Sequence, residues 1–247
     1  MLQNTLHSAA PIGSNEMPLT NASNFLSVPR TKESAALYTL QVNQEDDNHS
    51  EDKEFESYLF DGENLSECHF INCHFTNCSM RETKLEESLL ERSVFTECDM
   101  TDVRLASSTI KSCTFIRCNL TNMRLSGATL SNNRMIECNL RGAQLNSAQI
   151  NGGDFSHCDL SGQELEGAKL KGVKFTSADL SQVKFTGADL RDAIFDRATL
   201  GGAIMKNADL RGASFGGVDL SIVNLRGAKI DLAIATQFAI SHGMKVE

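Results

Sequence analysis

From Phe55 to Ile230 every fifth residue is Phe, Leu, Ile or Met, thirty-six times in succession without an insertion. Neither regular element carries such a period. A helix advancing about 100° per residue would carry each repeat about 140° around its axis and spread the apolar stripe over every face. A continuous strand alternates with period two, so an odd step would turn successive repeats to opposite sides. The chain is therefore predicted to bend once per repeat and return the fifth residue to a shared interior, which is the behaviour of a solenoid.

The residue two places before each apolar centre falls on the same side of an extended stretch. Its occupants include Cys68, Cys73, Cys78, Thr83, Ser88, Ser93 and Cys98, and further on Ala168, Val173, Ala178, Val183, Ala188 and Ala193. These are small, as a narrow corner requires. The other three positions hold the polar residues and glycines of an outer wall, with Gly187, Gly212 and Gly227 at predicted corners. Glu63, Met123, Asn133 and Gln163 break the small-residue rule, and Met135 breaks a run of Phe. Met123, Asn133 and Met135 are accordingly candidate partner contacts.

Stretches such as Ala178-Asp179-Leu180-Ser181-Gln182 and Ala208-Asp209-Leu210-Arg211-Gly212 resemble the A(D/N)LXX unit of pentapeptide-repeat proteins. The resemblance implies an all-β fold, a right-handed quadrilateral parallel β-helix with four pentapeptides per coil. On a twenty-residue coil, one wall reads Phe55, Phe75, Phe95, Phe115, Met135, Phe155, Phe175, Phe195 and Phe215. Coils stacked at about 4.8 Å would then make about nine turns and a rod on the order of 40 Å long.

Composition narrows the chemistry. The net charge of −9 is uneven. Residues 1–54 hold three basic and eight acidic groups, 55–100 three and ten, and 101–247 seventeen and fourteen. All eight cysteines take the small inward position, and five of them, from Cys78 to Cys158, recur every twenty residues. They read as reduced, buried fillers in a reducing, cytoplasmic setting. Cys68-His69 and Cys73-His74 suggest a metal cluster, but inward Cys and outward His cannot converge on one ion. No metal, cofactor or catalytic constellation is expected, so the chain reads as a non-enzyme. No apolar run is long enough for a membrane span, and the net charge argues against direct nucleic-acid binding.

Three regions are expected: an acidic, Ser/Asn-rich, disordered leader over 1–54, the solenoid over 55–230, and a capping helix with tail over 231–247. Tyr38, Leu40 and Val42 alternate as one short strand would, fit to blunt the first coil's edge. The leader also resembles the secretion region of type III-translocated bacterial effectors. At the other end Asp231 is placed to cap a helix and Gly243 to stop it. Ile234, Ala235, Phe238 and Ala239 would share its buried face. The segment from Gln237 to Val246 resembles the terminal helix of quinolone-resistance pentapeptide proteins, which implies closure of the rod and homodimerisation; Ile234, Phe238, Ile240 and Met244 are the cap or dimer candidates.

Function is expected to be protein binding by a rod-shaped scaffold, with a host protein as partner if the chain is exported. The family resemblance also implies an alternative, a duplex-shaped acidic rod that binds DNA gyrase or topoisomerase IV and confers quinolone or gyrase-poison resistance. Arg104, Lys111, Arg117, Arg124 and Arg134 place a basic patch where such a mimic should be acidic. Glu82, Glu86, Glu87 and Glu91 form the acidic candidate face.

Overall fold

The computed structural model describes residues 48–247. The expected strand at Tyr38, Leu40 and Val42, and the leader as far as residue 47, lie outside the described residues.

Eleven three-residue strands form two parallel sheets. Sheet order is β1 (His49–Glu51), β3 (His69–Ile71), β5 (Leu89–Glu91), β7 (Thr109–Lys111), β9 (Thr129–Ser131) and β11 (Gln149–Asn151). The second sheet is β2 (Glu54–Glu56), β4 (His74–Thr76), β6 (Val94–Thr96), β8 (Thr114–Ile116) and β10 (Arg134–Ile136). Neighbouring strands in each sheet lie twenty residues apart, so Phe55 faces Phe75, Phe75 faces Phe95, and Phe115 faces Met135. Beyond Asn151 single bridges keep the same step as far as Asp209 and Lys229. The product is a β-solenoid, followed by one α-helix, α1 (Leu232–Ser241).

Packing explains the register. The large apolar centres are almost all buried, and the small residue two places before them shares the same core. Phenyl rings of Phe55, Phe75, Phe95 and Phe115 stack at 4.6, 4.6 and 4.8 Å, close to the spacing of paired strands. In the regular step a centre donates its N–H one coil forward, as Phe60 does to Ser79 at 2.7 Å, and the residue before a centre donates one coil back, as Ser79 does to Tyr58 at 2.9 Å.

The corner falls two residues after each centre. From Asp52 to Gly227, thirty-four of the thirty-six residues at this place have φ between 50° and 79°. Side chains rarely accept this left-handed conformation. Here most corner N–H groups gain a partner in the next coil, as Asn77 does with the Thr96 carbonyl at 2.9 Å. The two exceptions, Ser147 and Ile222, end 3₁₀ turns at Leu145–Ser147 and Leu220–Ile222.

The solenoid starts earlier than the boundary at 55. Ser50 sits buried in β1, opposite Phe70, and β1 pairs with β3 along its length. A search for apolar centres passes over a serine in that position, although the backbone register treats it like the others.

Candidate protein-binding surfaces

Two kinds of corner position the walls. In one kind the centre carbonyl accepts the N–H three residues on, as Phe175 does from Ala178 at 3.1 Å, closing a β-turn. In the other kind that bond is absent and a side chain from the coil above takes its place. Ser93 Oγ donates to the Phe70 carbonyl at 3.0 Å and accepts the Cys73 N–H at 3.0 Å. Asn133 does both with its amide, reaching the Ile110 carbonyl at 2.8 Å and the Cys113 N–H at 2.9 Å. Thiols of Cys78, Cys98, Cys118 and Cys138 donate to the carbonyls of Phe55, Phe75, Phe95 and Phe115 at 3.3 to 3.5 Å. The cysteines are thus hydrogen-bond donors as well as fillers.

All eight thiols are free and buried. Burial pushes the Cys68 thiol up to about 11 and the Cys113 thiol up to about 12. His69 and His74 are exposed, facing away from Cys68 and Cys73. Among the described residues no group of three or more His, Cys, Asp or Glu is arranged to hold a metal ion, and no helix is long and apolar enough to cross a membrane.

The mid-wall carboxylates serve the backbone. Asp159, Asp179 and Asp219 accept the N–H two residues on at 3.0, 2.9 and 2.9 Å. Asp189 and Asp209 take the same bond and also grip Arg191 and Arg211 with both oxygens. The paired guanidinium holds the Asp209 carboxyl down at about 2.

The structure divides the sequence-derived candidates. Met123, Asn133 and Met135 are buried, as is Gln163, so none of them can present a contact surface. Their irregularity is one of core filling: above Asn133 the column holds Gly153, whose missing Cβ would meet the Asn133 carbonyl at 3.2 Å. Glu82 and Glu87 are exposed corner residues with φ of 56° and 58°. Glu86 accepts from Ser66, and Glu91 pairs with Arg92 and Lys111. Glu82 and Glu87 thus occupy two successive corners, and Glu86 and Glu91 each follow a buried centre and are engaged by neighbouring side chains.

The basic patch divides as well. Lys111 and Arg117 are held by Glu91 and Glu97. Arg104 and Arg124 share one mid-wall column with Lys84, which sequence reading did not single out. Arg134 stands on the opposite wall, half a coil away in the twenty-residue step.

At the carboxyl end Asp231 caps α1, accepting the N–H of Ile234 at 3.1 Å and that of Gly212 at 2.7 Å. Gln237 Nε2 donates to the Phe215 carbonyl at 2.7 Å and the Val218 carbonyl at 3.2 Å. Ile234 is buried and Phe238 packs against the core. Between helix and last coil lies a cavity of about 290 Å³, lined by Val223, Leu225, Ile230 and Phe238 among others. Ile240 and Met244 face outward at 58 % and 59 % exposure, beside Leu232 at 82 %. The four cap or dimer candidates thus fall into an inward pair and an outward pair.

Comparison with known proteins agrees with this architecture. A trypsin-treated form of QnrB1, a plasmid-mediated fluoroquinolone resistance protein, superposes with a TM-score of 0.54 at 21 % identity, over 78 % of this chain and all of that one. HetL, a pentapeptide repeat protein involved in heterocyst differentiation regulation from the cyanobacterium Nostoc sp. strain PCC 7120, matches at 20 % identity and a TM-score of 0.43, over 77 % of this chain and 92 % of that one. No curated protein sequence matches the chain. The model of the pentapeptide repeat region matches residues 89–155, 108–176 and 153–225, and the model of eight pentapeptide copies matches 60–96. With its five-residue step and twenty-residue coil so covered, the chain belongs to the pentapeptide repeat family.

Proposed function

We propose that the chain is a non-catalytic rod that binds protein partners through its outer walls. The observation carrying this reading is the twenty-residue register, which holds from β1 to the bridge between Asp209 and Lys229. It fixes outward side chains in parallel columns, so little conformational freedom is left to lose on binding. The large apolar side chains at the centres of the repeats are almost all consumed by the core, which leaves polar contacts, shape and a few outward aliphatics such as Ile194 and Ile204 to select the partner. Immobilised full-length chain should retain specific proteins from bacterial or host-cell lysate. Retention of nothing above a scrambled control from either source would end the reading. Dependence of export on residues 1–54 would add the effector role.

A second reading, binding to a type II topoisomerase, is favoured by the likeness in fold to a fluoroquinolone resistance protein. Against it stand the carboxylates of the upper coils, which are occupied by turn backbone and by Arg191 and Arg211. In a gyrase supercoiling assay with ciprofloxacin, neither rescue nor inhibition at micromolar protein would remove it.

A second copy of this chain is the proposed partner of the outward face of α1. Leu232→Asp with Ile240→Asp should halve the mass measured by light scattering. An unchanged mass would take the helix out of any assembly.

A further inference from the structure

Between the coil at 143–152 and the coil at 163–172, the ladder of backbone hydrogen bonds is interrupted on two adjacent walls. The regular step would pair Leu145 N–H with the Glu164 carbonyl, Ser147 with Glu166, Ile150 with Lys169 and Gly152 with Lys171, and would return Glu164 N–H to Ala143 and Lys169 N–H to Ala148. None of these six bonds forms. Leu145 N–H turns instead to the carbonyl of Ala143, and β11 has a paired neighbour on one side only. The other two walls stay joined, through Asp154 to Lys174 and Asp159 to Asp179. A cleft of about 200 Å³ opens on the interrupted side, lined by Gly142, Ala143, Gln144, Asn146, Gly162, Gln163 and Glu164.

Directly below the cleft, one coil apart, the same mid-wall column carries Arg124, Arg104 and Lys84. Elsewhere some cations are paired, Lys111, Arg117, Lys184, Arg191 and Arg211 each holding a carboxylate, and others such as Arg134 and Lys174 are not; what sets this column apart is three cations stacked one coil apart. Lys84, Arg104 and Arg124 hold none, and Arg104 Nε is buried without an acceptor. Like charges stacked one coil apart repel, so the column favours an anionic occupant. Glu164, the carboxylate in the cleft, is already held by Lys184 at 2.7 Å. At the lower end Glu82, Glu86 and Glu87 border Lys84 and would turn an acidic occupant away. That centres the site on Arg104, Arg124 and the cleft.

We propose that this wall binds an extended acidic segment of a partner protein, its carboxylates on Arg104 and Arg124 and its backbone against the lips of the cleft. The lips favour peptide over nucleic acid. The carbonyl of Glu164 at the cleft, and those of Glu166, Lys169 and Lys171 further along the same interrupted edge, have no N–H from the coil below, and a phosphodiester backbone has no donor for a carbonyl. An edge with free donors and acceptors is the surface onto which an extended peptide adds.

The proposal rests on the protein-binding reading and is tested on the full chain. Anisotropy of a labelled Glu-Ser repeat peptide reports binding, which should weaken as salt is raised. Arg104→Glu with Arg124→Glu should weaken it about tenfold or more. Arg134→Glu with Lys174→Glu, an equal charge change on the opposite wall, should alter it less than about twofold. Arg104→Gln with Arg124→Gln should fall between, with an unchanged circular dichroism spectrum. Equal loss from both walls, no peptide binding at low salt, or tighter binding of labelled oligothymidylate would overturn the assignment. Lysate partners retained equally by the native chain and by Arg104→Glu with Arg124→Glu would overturn the wall and leave the rod reading standing.

Discussion

The lower coils, up to about Asn151, and the upper coils beyond it solve one geometric problem in two ways. In the lower coils two of the four corners lack the internal turn bond, strands flank them, and Cys, Ser or Asn from the next coil completes the buried carbonyl. In the upper coils Val173, Ala178, Ala193 and Ala198 occupy the same columns without a side-chain donor, and the turns close on their own backbone. Cys158 stands at the changeover and does both, giving its thiol to the Met135 carbonyl at 2.9 Å and its N–H to Phe155 at 3.3 Å. Ring packing follows the division. Phe75 and Phe95 stack at 4.6 Å and 2° between planes, whereas Phe155 and Phe175 stand at 5.8 Å and 27°. A polar residue at the small inward position thus stitches coil to coil, and an alanine there hands the task to the turn.

Alkali should separate the two regions most strongly, because every cysteine lies at or below Cys158. The folded Cys113 thiol is raised from 9.0 to about 12, with burial the largest cause. A raised folded value means stability is intact below about pH 9, where both states keep the proton. It is lost as pH climbs towards 12, where only the unfolded chain releases the proton. Cys113 alone then costs about 1.4 kcal/mol per pH unit across that window; Cys68 and Cys73 shift in the same direction. Hydrogen exchange should show the coils around Cys73 to Cys138 losing protection before those around Val173 to Ala213. Simultaneous loss in both regions would contradict the division.

Asn133→Leu comes next in size. It strands the Ile110 carbonyl and the Cys113 N–H inside the core, which should cost about 3 kcal/mol by denaturant unfolding. A loss below about 1 kcal/mol would mean those groups find other partners.

A matched pair probes the rule within one column. Ser93→Ala removes a donor and an acceptor together and should cost about 2 kcal/mol. Ala193→Ser, five coils up, should cost less than about 1 kcal/mol, because Val173 N–H already reaches the Leu170 carbonyl. Equal costs would show that the identity of the small residue is immaterial.

Much of this was legible in the residues. The step of five names the interior from Phe55 to Ile230, and the Phe column foretells stacking that the ring distances bear out. The corner glycines mark positions of positive φ. Less legible was which corners close themselves, since Cys and Ala are both small and only the structure shows a thiol aimed at a carbonyl. Surface reading fared worst. Met123, Asn133 and Met135 stand out in sequence, yet all three are buried, and Asn133 serves the Ile110 carbonyl and the Cys113 N–H inside the core. The interruption above Ser147 left no signal either, for Ser107 takes a φ of 58° in the same column.

The second interruption does have a cause in sequence. Ile222 is the sole β-branched residue among the thirty-six at the corner position, and a β-branched side chain strongly resists positive φ. The chain there folds into a 3₁₀ turn, leaving Ile222 53 % exposed and Gly202 N–H without the carbonyl of Ser221 that the regular step would supply. Ile222→Asn offers a residue that visits the left-handed region, while giving up little burial. It should raise stability by about 0.5 kcal/mol and slow exchange of the Gly202 amide. Unaltered exchange at Gly202 would mean that the helix cap above, not the side chain at the corner, dictates how the last coil turns.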